Sequence, residues 1–389
     1  MYSIATFQHL MKGLPRSAFD KAVKQHGADK YRKHFKSWHH LITMIYAQLS
    51  ATPSLRALET SFNAHASHHY HLGTALLKRS TLADANEIRS DAVFSDIAKW
   101  LMTQASRKLR QDGKDLMYLL DSTSFTLKGR EFDKWTMSTR TRNTQGMKLH
   151  VLYEAQSQAP RQVEFSAANV NDIEVGRSMP LEAGALYVFD KGYNDYNWWH
   201  QIDKAGALFV TRFKYNASVK MLEQIEIAKD AQGVILSDEI VKFRSKYPSG
   251  KRVNQYFDQP LRRITVQRPD KDRPLVLATN DFTSSALEIA QRYKERWGIE
   301  LFFKWIKQHL KIKQFLGRSE NAVRIQILTA LITYLLVTIM HHSNKVTTSL
   351  WDFFCLIRAT IFQRPEIEAN ALRSRKNRQA ESKNQGCLF

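Results

Sequence analysis

The chain has 389 residues, 43% of them hydrophobic and 11% aromatic, enough to bury a large core and divide into two or three domains, which excludes a disordered polymer. Lys and Arg number 58 against 37 Asp and Glu, a formal charge of +21, spread along the whole chain among aromatic residues. That spread favours nucleic acid over a membrane surface as partner, although charge alone fits an RNA-binding or ribosome-associated protein equally well.

Met1 to Leu10 lacks the basic start and apolar run of a signal peptide, so the cytoplasm is the expected location. Ser17 to Phe62 carries apolar residues at helical intervals (Phe35, Trp38, Leu41, Ile42, Ile45, Leu49), with Ser54 after Pro53 as a candidate cap in a helix-turn-helix arrangement. Eight cations fall in the first fifty residues (Lys12, Arg16, Lys21, Lys24, Lys30, Arg32, Lys33, Lys36) against Asp20 and Asp29, which suits a helical module, residues 1–80, that binds DNA ends. Leu116 to Leu127 reads as a buried strand carrying one acid, Asp121, and Lys148 to Glu154 and Arg161 to Ala167 complete a three-strand meander. Ala185 to Phe189 is a further strand ending at Asp190, and Leu208 to Thr211 another. Strands with intervening helices give an α/β core over 81–214.

Between residues 215 and 275 the composition becomes charged and Gly- and Pro-containing, with short β-like runs at Gly233–Leu236, Ile240–Phe243 and Arg263–Val266, expected to form an inserted β-rich subdomain. Pro274 to Thr279 is one more strand, and Ser284 to Lys311 a long helix capped by Ser284 or Ser285, in a last core segment over 276–345. Ile325 to Met340 is short of the roughly 20 apolar residues of a membrane span and reads as a buried core helix. Residues 346–389 make a C-terminal helical segment and a polar tail from Arg364.

On the long helix, Tyr293, Arg296, Lys304 and Lys307 fall within roughly 40° of Glu300 at about 100° per residue. The remaining circumference is apolar (Trp297, Ile299, Leu301, Phe302, Phe303, Trp305, Ile306) and is expected to be mostly buried. Ordinary helix ion pairs worth about 0.2–0.5 kcal/mol each explain this face as well as chemistry does. The balance shifts with Asp121 and Asp190, since three carboxylates from two strands and a helix suit hard divalent cations and phosphodiester chemistry.

The spacing of Tyr293, Arg296, Glu300 and Lys307 in RYKERWGIELFFKWIKQHLKI matches the Y-x2-R-x3-E-x6-K signature, and the chain resembles DDE transposases of the insertion-sequence family numbered four. LLDST around Asp121 and VFDKGY around Asp190 resemble that family's first two acid motifs, and ADKYRKHF, QLSATPSLRALE and KRSTLADANEIR resemble the N-terminal region of one branch. The resemblance implies an RNase H-like catalytic core with a β-rich insertion, preceded by a helical N-terminal domain. It implies Asp121, Asp190 and Glu300 as catalytic metal ligands for two Mg²⁺ or Mn²⁺ ions, and Tyr293, Arg296, Lys304, Lys307 and, weakly, Lys191 as DNA-binding residues. The expected partners are double-stranded DNA, as terminal inverted repeats and target, and a second copy in a homodimer, with nucleoid association and no membrane. The competing readings are a DNA-binding regulator without turnover and an RNase H-like nuclease without strand transfer.

Other features keep plainer readings. His65, His68, His69 and His71 lack a neighbouring cysteine, so a polar turn or DNA contact outweighs zinc. Cys355 and Cys387 are ordinary thiols. Asp172 is read as a helix cap ahead of a supporting acid, and Trp198 and Trp199 as core ahead of base stacking.

Overall fold

A computed structural model describes residues 5–363 apart from 111–115, 143, 215–216, 249, 251, 269–272, 311 and 313. The expected tail from Arg364, with Cys387, and the expected helix end at Lys311 lie outside the described residues. The chain divides into two compact units, Met1–Ala105 with Ile306–Phe389, and Ser106–Trp305.

Helices come first: α1 (Thr6–Met11), α2 (Arg16–Gln25), α3 (Ser37–Ser50), α4 (Leu55–Asn63), α5 (His69–Leu72), α6 (Arg79–Ile88) and α7 (Ala92–Leu109). The α3 helix is buried along nearly its whole length because its sequence is apolar on every side, Leu41, Ile42, Met44, Ile45 and Leu49 among it. Ser54 caps α4 by accepting the Ala57 N–H at 3.2 Å. The histidine cluster is packed against rings: His65 stacks on Phe362 with centroids 4.2 Å apart and His69 on Phe62 at 4.4 Å.

The second unit holds β1 (Met117–Thr126), α8 (Arg130–Thr136), β2 (Gly146–Glu154), β3 (Ala159–Ala167), α9 (Asp172–Gly176), β4 (Leu186–Phe189), α10 (Tyr196–Lys204), β5 (Leu208–Arg212), β6 (Val219–Gln224), β7 (Ile235–Phe243), β8 (Leu261–Val266), β9 (Leu275–Thr279) and α11 (Ala286–Glu295). Its strands form one nine-stranded sheet in the order β3-β2-β1-β4-β5-β9-β8-β7-β6. The pairs β1–β4 and β4–β5 are parallel, and every other neighbouring pair is antiparallel. Up to the point where β4 ends, the parallel strands are apolar (Leu119, Leu120, Val188, Phe189, Phe209, Val210) and buried. Trp198 and Trp199 of α10 are 1% and 0% exposed against Phe189 and Phe209, so they are core and not a stacking platform. At the start of β2, Gly146 has φ +142°, and a β-carbon there would fall 2.2 Å from the Phe125 carbonyl oxygen, so only glycine lets β2 close on β1.

Two expectations change here. The runs at Gly233–Leu236 and Ile240–Phe243 are one strand, β7, and strands β6, β7 and β8 extend the central sheet through β9. The helix from Ser284 is two helices, α11 and α12 (Trp297–His309), interrupted at Arg296. Ser285, not Ser284, caps α11, in a reciprocal box with Glu288: Ser285 Oγ accepts the Glu288 N–H at 3.2 Å and Glu288 Oε2 accepts the Ser285 N–H at 2.8 Å.

The first unit resumes with α13 (Glu320–Ser343) and α14 (Leu350–Ala359). The 24-residue α13 is longer than the run Ile325–Met340 suggested and is long and apolar enough to cross a membrane, yet 89% of its most apolar window is buried inside the protein.

Candidate active site

The parallel register that pairs Leu120 with Phe189 makes Asp121 and Asp190 the next residue on each strand, so two carboxylates meet where β4 ends. Asp121 itself is not at a strand end, since β1 continues to Thr126 against β2. The third acid, Glu300, sits in the first turn of α12. Arg296, at the break between the helices, draws the set together: Nη1 donates to Asp121 Oδ2 at 3.4 Å and Nη2 to Glu300 Oε1. Tyr293 Oη donates to Asp190 Oδ1 at 3.4 Å, and Arg212 Nη1 lies 3.5 Å from the same oxygen.

Burial pushes the Asp121 carboxyl up to about 6, against the Ser122 N–H and the Arg296 charge, with Glu300 and Asp190 adding repulsion. Burial first, then Asp190, also raises Tyr293, which stays a protonated donor. Among the described residues no three His, Cys, Asp or Glu side chains are drawn tight enough to cage a metal. Arg296 instead supplies the positive charge between Asp121 and Glu300. The donor chemistry fits a hard divalent cation: the donors are carboxylate oxygens, and the neighbouring negative charges favour a cation among them.

Tyr293 and Arg296 face the carboxylates, whereas Lys191 and Lys304 are exposed and Lys307 is half-buried further along α12. The apolar circumference expected of this helix is incomplete, because Trp297 and Leu301 are 58% and 51% exposed. They stand a turn apart and present one apolar strip to solvent.

The helix-cap reading of Asp172 is overturned. Asp172 is the first residue of α9 and makes no cap hydrogen bond. Its Oδ1 accepts Ser122 Oγ–H at 3.0 Å and Lys148 Nζ at 3.0 Å, while the Ser122 N–H donates to Asp121 Oδ1 at 2.8 Å. A β-carbon at Gly192 would lie 3.5 Å from Asp172 Oδ2, so the loop after Asp190 passes the same carboxylate. His150, pushed down to about 4 by burial despite Asp172, is a neutral neighbour 3.9 Å away. Asp172 thus fixes the side chain of Ser122, the residue whose backbone N–H holds Asp121. Asp172→Asn is expected to lower cleavage turnover about tenfold with DNA affinity unchanged, the usual cost of losing a carboxylate that orients a ligand, checked by single-turnover cleavage beside a binding isotherm.

A second expectation follows from the Asp121 shift. Its folded value, about 6, exceeds its ordinary 3.8, so the contribution to stability is fully present below about pH 4 and lost as pH rises through 6. Above that, the ionised carboxylate costs on the order of 3 kcal/mol. Asp121→Asn is therefore expected to melt higher than the parent at pH 8 and alike at pH 4, with added divalent cation narrowing the pH 8 gap. Equal melting at pH 8 would show that the charge carries no such cost.

Residues 112–336 match the transposase DDE domain, and residues 3–75 match a domain of unknown function. The chain belongs to the DDE transposase domain family. It is similar to y4zB of Sinorhizobium fredii, named as a transposase, with 41% identity over 290 residues, 74% of this chain and 78% of that protein. It is 28% identical over 261 residues to a Geobacillus stearothermophilus protein named as a transposase for the insertion sequence element IS5377, covering 66% of each chain. A solved piggyBac transposase synaptic complex with hairpin DNA matches with a TM-score of 0.47 and 10% identity over 95% of this chain and 82% of that one, too loose a likeness to bear on mechanism. This DDE transposase is an insertion-sequence enzyme that binds DNA and cleaves it with divalent metal.

The DDE transposase also contains site residues that pattern reading did not single out. Arg212 ends β5 and reaches Asp190 only through the parallel β4–β5 register, and Lys148 and Ser122 acquire meaning only beside Asp172. No short spacing encodes these contacts.

Proposed function

We propose that Asp121, Asp190 and Glu300 are the metal-holding carboxylates of an RNase H-like core, and that the enzyme belongs to the insertion-sequence family numbered four. The observation that carries this reading is that two signature residues, Arg296 and Tyr293, join acids from three elements: Arg296 touches Asp121 and Glu300, and Tyr293 touches Asp190. The strand order β3-β2-β1-β4-β5, an antiparallel meander followed by two parallel strands, supports the core assignment.

Two Mg²⁺ or Mn²⁺ ions bound there would activate the attacking oxygen and stabilise the leaving oxygen of a phosphodiester. The chain's own residues supply the rest. The Ser122 N–H holds the Asp121 carboxylate while Asp172 holds the Ser122 hydroxyl, and Arg212 and Tyr293 hold Asp190. Arg296 would present its guanidinium to a DNA phosphate beside the acids, and Lys191, Lys304 and Lys307 would add point charges along the strand. The enzyme cleaves element ends and joins them to target DNA as a homodimer in a DNA-paired complex. The helical residues 1–80 bind the element end, 81–214 and 276–345 form the core, 215–275 are its insertion, and 346–389 form the C-terminal segment. Acting on DNA in a bacterium, it works in the cytoplasm at the nucleoid.

The test is cleavage of a duplex carrying the terminal inverted repeats that flank the gene, with Mg²⁺, Mn²⁺ or chelator. Metal-dependent breaks at the repeat boundary followed by joining are expected. Specific binding without breaks would instead make the protein a regulator, and breaks without joining a nuclease.

A further inference from the structure

We propose that the turn from Gly27 to Lys36 is a preformed DNA-backbone grip, with the Tyr31 ring as its contact to a base or sugar. The inference rests on the reading of the N-terminal helices as DNA-binding and assigns a contact surface within the domain of unknown function. Lys30, Arg32, Lys33 and Lys36 are all exposed, and among the described residues none forms an ion pair with a carboxylate. The one acid in the turn is committed elsewhere. Asp29 Oδ1 accepts both the N–H and the hydroxyl of Ser37 at 2.7 Å, tying the turn to the start of α3. The four cations face the single carboxylate of Asp29 in the turn, an excess of positive charge that a polyanion relieves.

The turn is also held in shape before any partner arrives. Ala28 N–H donates to Val23 O at 3.1 Å, Lys30 N–H to Gly27 O at 3.1 Å and Arg32 N–H to Asp29 O at 3.0 Å. Beneath it, the Arg89 guanidinium donates to the Phe35 carbonyl and lies 5.1 Å from the centre of the Phe35 ring. Arg89 is only 9% exposed, and its Nε and Nη1 have no hydrogen-bond partner among the described residues. The buried Arg89 charge, offset in part by Asp29, adds to that of the four exposed cations at the turn.

Tyr31 stands at the tip. Its ring is 90% exposed, and its φ of +61° is a conformation that an aromatic residue rarely takes. Packing does not require it there, since among the described residues the ring stays open to solvent with the Lys30 ammonium 5.2 Å from its centre. An aromatic ring projected into solvent between cations is what contact with an unpaired base or a deoxyribose requires, with phosphates on either side taken by Lys30, Arg32 and Lys33.

The experiment measures binding of the full chain to a labelled duplex bearing the terminal inverted repeat, over a salt series. Four variants are compared: the triple Lys30→Ala, Arg32→Ala, Lys33→Ala; Tyr31→Ala; Tyr31→Phe as its rescue; and the double Lys21→Ala, Lys24→Ala on α2. The triple variant is expected to weaken binding and to flatten the slope of log affinity against log salt by about 3, one phosphate contact per cation. Tyr31→Ala is expected to weaken binding about tenfold at unchanged slope, with Tyr31→Phe retaining parent affinity. Because all these side chains are exposed, unchanged circular dichroism and melting establish that the variants fold. Parent-like affinity and slope in both the triple variant and Tyr31→Ala overturn the grip. If the α2 pair alone changes the slope, the N-terminal domain keeps its DNA role and the turn loses it. If no N-terminal variant changes binding while cleavage persists, the N-terminal reading falls and the catalytic one stands.

Discussion

Asp121→Asn, Asp190→Asn or Glu300→Gln is expected to lower metal-dependent cleavage of an element end about a thousandfold or more, a loss of about 4 kcal/mol of transition-state stabilisation. Each substitution keeps the shape of the side chain and removes one negative charge, so the effect isolates the charge. Arg296 touches two of the acids and Tyr293 the third, so the three act as one unit, and double substitutions should cost little more than single ones. DNA binding moves the other way. Each variant raises the formal charge of +21 by one, so affinity for the duplex should hold or rise slightly. A gel separating nicked from bound DNA reads both effects in one experiment. Cleavage retained by any single variant would remove that residue from the set.

Glu300 and Arg296 stood out because helical spacing, which carries through the break at Arg296, puts them on one face. Asp121 and Asp190 were legible as acids on apolar strands, where an unpaired charge is costly. The contacts among the acids were not legible, because β1, β4 and β5 are brought side by side by parallel register between residues far apart in sequence. Arg212 therefore passed unmarked, and Asp172 was weighed as a cap ahead of a supporting acid because a short loop carboxylate resembles a cap. The helix interruption at Arg296 escaped the periodicity, which runs through it, and so did the exposure of Trp297 and Leu301. The span of β7 was missed for a different reason. Ser237 and Asp238 break its apolar run, and Asp238 is buried only because its partner, Arg262, arrives from the neighbouring strand.

That pair sets the largest expected effect on stability. Arg262 is 4% exposed and Asp238 2%, and they bond side-on through Nε to Oδ1 at 2.9 Å and Nη2 to Oδ2 at 2.6 Å. The remaining nitrogen, Nη1, donates to the carbonyls of Asp281 at 3.2 Å and Ser284 at 2.5 Å, in the turn that starts α11. Asp281 in turn accepts the Thr283 and Ser284 N–H groups at 2.9 Å and the Arg292 guanidinium at 3.0 Å. One guanidinium thus fastens β7 and β8 to the base of the helix that aims Tyr293 and Arg296 at the carboxylates. Arg262→Leu leaves a buried carboxylate without a counter-charge and should destabilise the protein by about 3–5 kcal/mol, read from denaturant unfolding. Replacing both members, Arg262→Leu with Asp238→Leu, removes the stranded charge and should recover most of that loss, because a buried pair roughly breaks even against apolar residues of similar size. The double variant separates folding from aiming. Recovered stability with parent-like cleavage confines the pair to the fold. Recovered stability with slow cleavage and parent-like DNA affinity means that the Nη1 bonds to the Asp281–Ser284 turn hold Tyr293 and Arg296 in register with the acids.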